Sequence, residues 1–183
     1  GSGWEIAVRA KVAKLVSDGS KRKPLAIIPF TSGRGDISIF GESWDRDEAS
    51  RILTQLLVDK ITSTRRFAVI DREFIDVTQQ EASLKVNNPL MPMTQLLELA
   101  NRLVAEYMIV GQLESITATR TTNYVELLKR DVYSDSASAT VALRVIDVGS
   151  DQVKYAGTDV FYFVDDEIPK SGGATAVGTK LLE

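Results

Sequence analysis

Apolar and polar positions along the chain switch repeatedly between a helical and an extended period. Glu5 to Val16 places Ile6, Val8, Val12 and Leu15 in a short amphipathic stretch that predicts a helix, and the polar linker "SDGSKRK" follows. Leu25 to Phe30 is a compact apolar run after a proline, which suits a buried strand. Thr31 to Trp44 is rich in Gly and Ser and reads as a loop. From Ala49 the period becomes helical, with Ile52, Leu53, Leu56, Leu57 and Ile61 on one face. Asp45 stands where an N-cap belongs, and Glu48 lies three residues on, as in a capping box.

"RFAVID" predicts a second short strand and "REFIDVTQQEASLK" a helix; "NNPLMP", with two prolines, breaks the pattern. "MTQLLELANRLVA" predicts a further helix with Leu96, Leu97, Ala100 and Leu103 inward. "EYMIVGQLESITAT" reads as a strand, apolar first and alternating later, and Thr117 to Ser136 as a polar, threonine-rich loop. Ala139 to Ile146, a "GSD" turn, and Val153 to Phe163 form an antiparallel hairpin. Helical spacing returns at Ala176, Val177, Lys180 and Leu181 and then stops, which reads as a helix cut short. The order predicts an α/β (α+β) layer: a mixed sheet with flanking helices and a closing antiparallel hairpin. We divide the chain into an N-terminal helix and linker, 1–23, and one domain, 24–183.

Composition narrows the chemistry. The 183 residues are 44% hydrophobic and 26% charged, as in a folded globular domain. A net charge of −3 argues against a nucleic-acid partner held by bulk electrostatics, and Lys21-Arg22-Lys23 is too short to change that. Cysteine and histidine are both absent. Disulfides, thiolate and imidazole metal sites, and the usual general base near neutral pH are therefore unavailable. No apolar run reaches the roughly 18–20 residues of a membrane-spanning helix, and Gly1-Ser2-Gly3 has the look of an added leader.

The strand, glycine loop and helix around "PFTSGRGD" raise the question of a nucleotide. A phosphate-binding loop needs Gly-Lys-Ser/Thr at the head of the helix. Here Gly33-Arg34-Gly35-Asp36 stands well before the cap, and Asp36, Glu42, Asp45 and Asp47 would repel phosphate. The Arg-Gly-Asp tripeptide is three common residues in sequence. Asp165-Asp166 with Glu167 reads as a solvated loop, Ser32, Ser43 and Ser83 have no histidine to activate them, and Met91 and Met93 read as packing. We assign no catalytic, metal or cofactor-binding residues. Ile37, Ile39, Phe40 and Trp44 either fold back onto the core or form a contact surface for another protein. Under the second reading, replacing Phe40 or Trp44 with alanine leaves folding intact and weakens assembly.

Several segments in order carry a resemblance. "PLAIIPF" with its loop and helix resembles the opening of CsgG-like and LpoB-like bacterial envelope lipoprotein domains. "LLVDKITSTRRFAVIDREFIDVTQQEASL" is similar to their helix, strand and next helix, with Phe67, Val69, Ile70 and Arg72 at the matching places. "LANRLVAEYMIVGQLESI" matches at Ala105, Tyr107, Val110 and Gly111, and "VALRVIDVGSDQVKYAG" resembles the closing hairpin. The resemblance runs from about Leu25 to Phe163. It implies an anticodon-binding-domain-like fold without catalysis, periplasmic and outer-membrane-associated, whose partners are cell-envelope proteins or further copies of itself. It also implies a lipid anchor on a cysteine upstream of this sequence.

Family members include penicillin-binding-protein activators, curli secretion pores, polysaccharide-export collars and flagellar components. Pore-forming members insert a β-hairpin in the region of Thr117 to Ser136. Here that segment carries Arg120, Glu126, Lys129, Arg130, Asp131 and Asp135, and reads instead as a soluble loop. The candidate partner contacts are Ile39, Phe40, Trp44, Tyr124, Leu127 and Leu128. The alternatives are a small-molecule- or nucleotide-binding α/β enzyme and an oligomeric outer-membrane secretion pore.

Overall fold

The structure, a computed structural model, describes residues 22–81, 91–164, 168 and 174–182. The helix expected over 5–16, Ser83 and the Asp165-Asp166-Glu167 cluster lie outside those residues.

One mixed sheet organises the chain, and its longest strand, β6 (Tyr107–Val125), runs through the middle. On one side three short strands lie parallel to it in succession. β1 (Lys23–Ile27) pairs at Tyr107 to Ile109, β2 (Thr31–Ser32) at Gln112 and Leu113, and β3 (Ile37–Ile39) at Ile116 to Ala118. β4 (Glu42–Ser43) folds back on β3, and β5 (Phe67–Val69) lies parallel to the outer side of β1. On the other side β7 (Arg130–Asp147) pairs antiparallel with β6 over its full length, and β8 (Gln152–Val164) with β7. Among the described residues the outer edge of β8 has no partner strand.

Thr31 to Trp44, read as a loop, is thus a stepwise continuation of β1 along β6. Ile37 and Ile39 alternate inward and are buried, so the segment gains both a strand's hydrogen bonds and a strand's core contacts. Lys23, assigned to the linker, opens β1; its ammonium donates to Tyr107 Oη at 3.1 Å and lies 3.6 Å from Glu106.

Helices cover both faces. α1 (Arg46–Ser63) and α4 (Ala174–Leu182) lie on one; α2 (Arg72–Glu81) and α3 (Met93–Arg102) lie on the other. The double-sided burial of β1 follows from this. Leu25 and Ile27 meet Leu53, Leu57 and Ile61 of α1, while Ala26 and Ile28 meet Ile75, Leu96 and Leu99 of α2 and α3. Leu96, Ala100 and Leu103 point inward as the periodicity predicts, joined by Leu99, with Leu97 half-buried. Met91 and Met93 pack against this second core, where Arg144 donates to Met91 O at 3.0 Å.

α1 starts where its cap predicts. Asp45 Oδ1 accepts the Glu48 N–H at 2.7 Å. The Glu48 carboxylate accepts the Trp44 indole N–H at 3.0 Å, which fastens the residue before the cap to the first turn. The buried stripe of α1 includes Ser50 and Thr54. Thr54 is admitted because its hydroxyl accepts the Phe30 N–H at 2.9 Å and donates to Ser50 O at 2.8 Å.

Candidate interaction surface

The glycine loop serves the sheet. β6 bulges between Leu113 and Ser115, and Gly33 and Gly35 close onto that bulge, where a side chain on either would strike Glu114. Gly33 N–H donates to Leu113 O at 2.7 Å, and the Arg46 guanidinium bonds the carbonyls of Gly33 and Gly35. The cleft at the head of α1, about 590 Å³, is lined by Asp36, Asp45 and Asp47 with Ser32 and Ser43. Among its described lining residues the one cation, Arg46, is committed to the loop carbonyls, so the surroundings disfavour a phosphate. Among the described residues no group of three or more acidic side chains is placed to hold a metal ion.

Two of the expected partner contacts are core residues. Trp44 is 3% exposed, its indole face against the backbone of α4 at Gly178, and Ile39 is likewise buried. Their size and apolar character are spent on holding α4 and β3 to the sheet, which corrects their assignment to the surface. Phe40 is half-buried beside Ile39, with its backbone in the left-handed region at φ 50°. Its N–H donates to Ala118 O at 2.7 Å.

Thr117 to Ser136, expected as a loop, is the far end of the β6–β7 hairpin. β3 ends opposite Ala118, and the last residue of β8, Val164, pairs with Ser136. Beyond that level the two strands pair only with each other among the described residues, through six rungs from Arg120↔Asp135 to Val125↔Arg130. They form an arm that stands roughly 20 Å clear of the sheet at ~3.3 Å per residue.

A free two-stranded ribbon is marginal in water, and this one is clamped at its base. Arg120 Nε and Nη2 each donate to Asp135 at 2.7 Å. The guanidinium also lies 5.1 Å from the Phe40 ring centre and 5.9 Å from that of Tyr133. The bond to buried Asp135 raises the Arg120 pKa further. Hydroxyl pairs Thr119–Ser136 and Thr117–Ser138 continue the cross-strand contacts downward. The structure thus brings Phe40 to the foot of the element whose tip carries Tyr124, Leu127 and Leu128.

That tip is a four-residue turn, Glu126 to Lys129, closed by Leu128 N–H to Val125 O at 3.0 Å, with Lys129 at φ 49°. Tyr124 and Leu128 are exposed, and Leu127 is 94% exposed. One face of the arm presents Arg120, Thr122, Tyr124, Asp131, Tyr133 and Asp135, the other Thr121, Asn123, Val125, Arg130, Val132 and Ser134. Neither carries the apolar band that a lipid-facing strand requires. Among the described residues no helix is long and apolar enough to cross a membrane.

A second apolar surface lies beneath the arm on the α1 and α4 side. Leu53 and Leu57, Val141, Phe161 and Phe163, and Leu182 enclose an open groove of about 360 Å³. Asp159 and Lys180 stand at its rim, and Phe161 is 50% exposed. The groove is hidden in the sequence because its walls come from four elements, α1, β7, β8 and α4, spread along the chain. Only the run Val160-Phe161-Tyr162-Phe163-Val164 in an edge strand signals it.

Fold and surface together define an α/β scaffold whose exposed apolar features, among the described residues, include an arm and a groove. The family model for the curli production assembly/transport component CsgG matches residues 13–159. The chain belongs to that family. No curated protein matches the sequence. Among solved structures, the LpoB C-terminal domain from Salmonella enterica is similar at 12% identity, with 76% of this chain and 82% of that one covered and a TM-score of 0.47. Lipoprotein GNA1162 from Neisseria meningitidis is similar at 12% identity, covering 81% and 88%, with a TM-score of 0.43. PelC from Paraburkholderia phytofirmans, solved as a dodecamer, is similar at 14% identity, covering 88% and 83%, with a TM-score of 0.39. These are likenesses of fold and carry no argument about activity.

Proposed function

We propose that this chain is a non-catalytic, periplasmic, outer-membrane-associated recognition domain of a bacterial cell-envelope assembly, and that it meets another protein through the β6–β7 arm. Membership of the CsgG family supports the envelope setting. The arm itself carries the reading: a clamped ribbon whose outer rungs pair with no further strand among the described residues, ending in an exposed Tyr124, Leu127 and Leu128. An apolar tip held away from the core costs solvation and contributes nothing to folding, whereas burial against a partner recovers that cost.

A photo-crosslinking residue at position 127 of the full-length protein in cells tests this. Adducts with protein at position 127, absent from the same residue placed at exposed Gln55 on α1, are the expected result. Equal labelling at both positions, or none at 127, refutes it.

A further inference from the structure

We propose that the arm, taken as the contact element argued above, recognises an arginine side chain of its partner protein. That side chain is held over Thr122, between the rings of Tyr124 and Tyr133, and pairs with Asp131.

The base of the arm shows how such a site is built. Arg120 and Asp135 stand opposite each other across the two strands, and the guanidinium donates to that carboxylate through Nε and Nη2, each at 2.7 Å. The same guanidinium lies 5.1 Å from the ring centre of Phe40 and 5.9 Å from that of Tyr133. One cation, one carboxylate and two aromatic rings thus meet on one face of the ribbon.

The next two rungs present the same groups again, except the cation. Thr122 faces Tyr133 and Tyr124 faces Asp131, and since alternate residues share a face, all four lie on the side of Arg120. Side chains directly opposed on a ribbon stand about 4.5–5.5 Å apart and diagonal ones about 7–8 Å. A group above the short Thr122 side chain is therefore within reach of both rings and of the carboxylate. Tyr124 and Tyr133 are 62% and 63% exposed. Asp131 is exposed too, and its carboxylate has no ion pair or side-chain hydrogen bond among the described residues.

The cations nearest in sequence are placed elsewhere. Arg120 is held by Asp135, Arg130 lies on the opposite face, and Lys129 belongs to the turn. That opposite face has neither a ring nor a carboxylate between Thr121 and Val125 or between Arg130 and Ser134. Arginine suits the space better than lysine, because a planar guanidinium stacks on a ring while its N–H groups fork onto a carboxylate. A partner that covers Leu127 and Leu128 passes over Tyr124, so the ion pair and the apolar contact belong to one interface, and Asp131 selects which surfaces enter it.

Photo-crosslinking from position 127 of the full-length protein in cells, repeated on three variants, tests this. Thr122→Arg supplies the guanidinium from the chain itself and Asp131→Asn removes the charge; each is expected to lower the adducts roughly tenfold. Thr121→Arg, which adds the same charge to the opposite face, should leave them unchanged. All three positions are exposed, so the thermal transition should stay that of the wild type. In vitro, N-acetyl-arginine amide should shift the NMR signals of Thr122, Tyr124, Asp131 and Tyr133 in the wild type and not in Asp131→Asn, and N-acetyl-lysine amide should shift them less.

Adducts undiminished in Thr122→Arg and Asp131→Asn, or lost equally in Thr121→Arg, overturn the arginine site and leave the recognition reading standing. A response to the lysine probe as strong as to arginine, or a response to neither, overturns it as well. Absence of adducts from the wild type removes the recognition reading and the site with it.

Discussion

Trp44→Ala and Leu127→Ala, made side by side, separate side chains that build the scaffold from side chains that reach beyond it. Trp44 is 3% exposed; its ring covers the α4 backbone at Gly178, and its N–H is bonded to Glu48 at 3.0 Å. Truncation leaves a cavity between β3, the head of α1 and α4 that none of these elements can close without leaving the sheet. Losses of about 3–5 kcal/mol are typical for a buried aromatic cut to alanine. For a chain of this size each kcal/mol lowers the midpoint by about 2–4 °C, so the transition should fall by roughly 6–20 °C. Leu127, 94% exposed at the arm tip, should change stability by no more than ~0.5 kcal/mol. Thermal unfolding followed by circular dichroism reads both, and hydrogen exchange should show α4 losing protection first in Trp44→Ala. A transition unmoved by Trp44→Ala, with association weakened, would refute this packing and return Trp44 to the surface role first expected of it.

Other positions give tests of different sign. Thr54→Val removes the hydroxyl that accepts the buried Phe30 N–H and should cost about 1–3 kcal/mol in denaturant unfolding. Ser50→Ala, one turn away, should be neutral or stabilising, since its buried hydroxyl has no partner among the described residues. Val104, a β-branched residue at φ 54° just past α3, bears backbone strain that glycine would not. Val104→Gly should stabilise by roughly 0.5–2 kcal/mol after the entropy cost of the glycine. Burial opposes ionisation of Asp147, but the Ser150 N–H and the Lys154 ammonium outweigh it and hold that carboxyl below its ordinary value. Its contribution is therefore complete above the usual aspartate range near pH ~4 and lost as pH falls through the lower folded value. Hydrogen exchange in the β7–β8 turn should accelerate on acidification in the wild type, and Asp147→Asn should remove that dependence.

Where one face of an element is buried and the other wet, the sequence declares it. α1 and α3 are legible for that reason, β1 as a compact apolar run because both its faces are buried, the closing hairpin by its β-rich runs about a turn, and the Asp45 cap by its spacing to Glu48. The arm is not legible, because alternation is visible only when one face seeks the core. With both faces in water except at buried Asp135, Thr119 to Val125 and Arg130 to Ser136 show no hydrophobic period, and the turn Glu126 to Lys129 has none of the usual turn residues. The remaining signal was β-propensity: Thr117, Thr119, Thr121, Thr122 and Val125 against Val132 and Tyr133. The short strands β2 and β3 were hidden for another reason. Their hydrogen bonds go to β6, some 80 residues further along the chain, and the glycines that let them approach its bulge look locally like a turn. Trp44 and Ile39 show the converse error, since an apolar residue in a glycine-rich stretch has no period to reveal which way it faces.

The strand that holds the core together is also the strand that reaches outward, and this bears on how the arm binds. β6 is buried from Met108 to Gly111, still sends Ile116 and Ala118 inward further along, and stands in water from Thr119 on. Its parallel neighbours leave in the same order, β1, then β2, then β3, so support is withdrawn gradually along its length. The Arg120–Asp135 clamp is placed at the rung where the last neighbour on each side has ended. A tip carried this way is ordered before it meets anything, so little conformational entropy is left to lose on docking and a small apolar contact can suffice. A loop of the same composition would lose that advantage, and the difference is measurable. Arg120→Ala should raise hydrogen exchange from Thr119 to Ser136 and weaken association while leaving Leu127 and Leu128 chemically intact. If exchange rises and association does not change, pre-ordering of the arm contributes nothing to the contact.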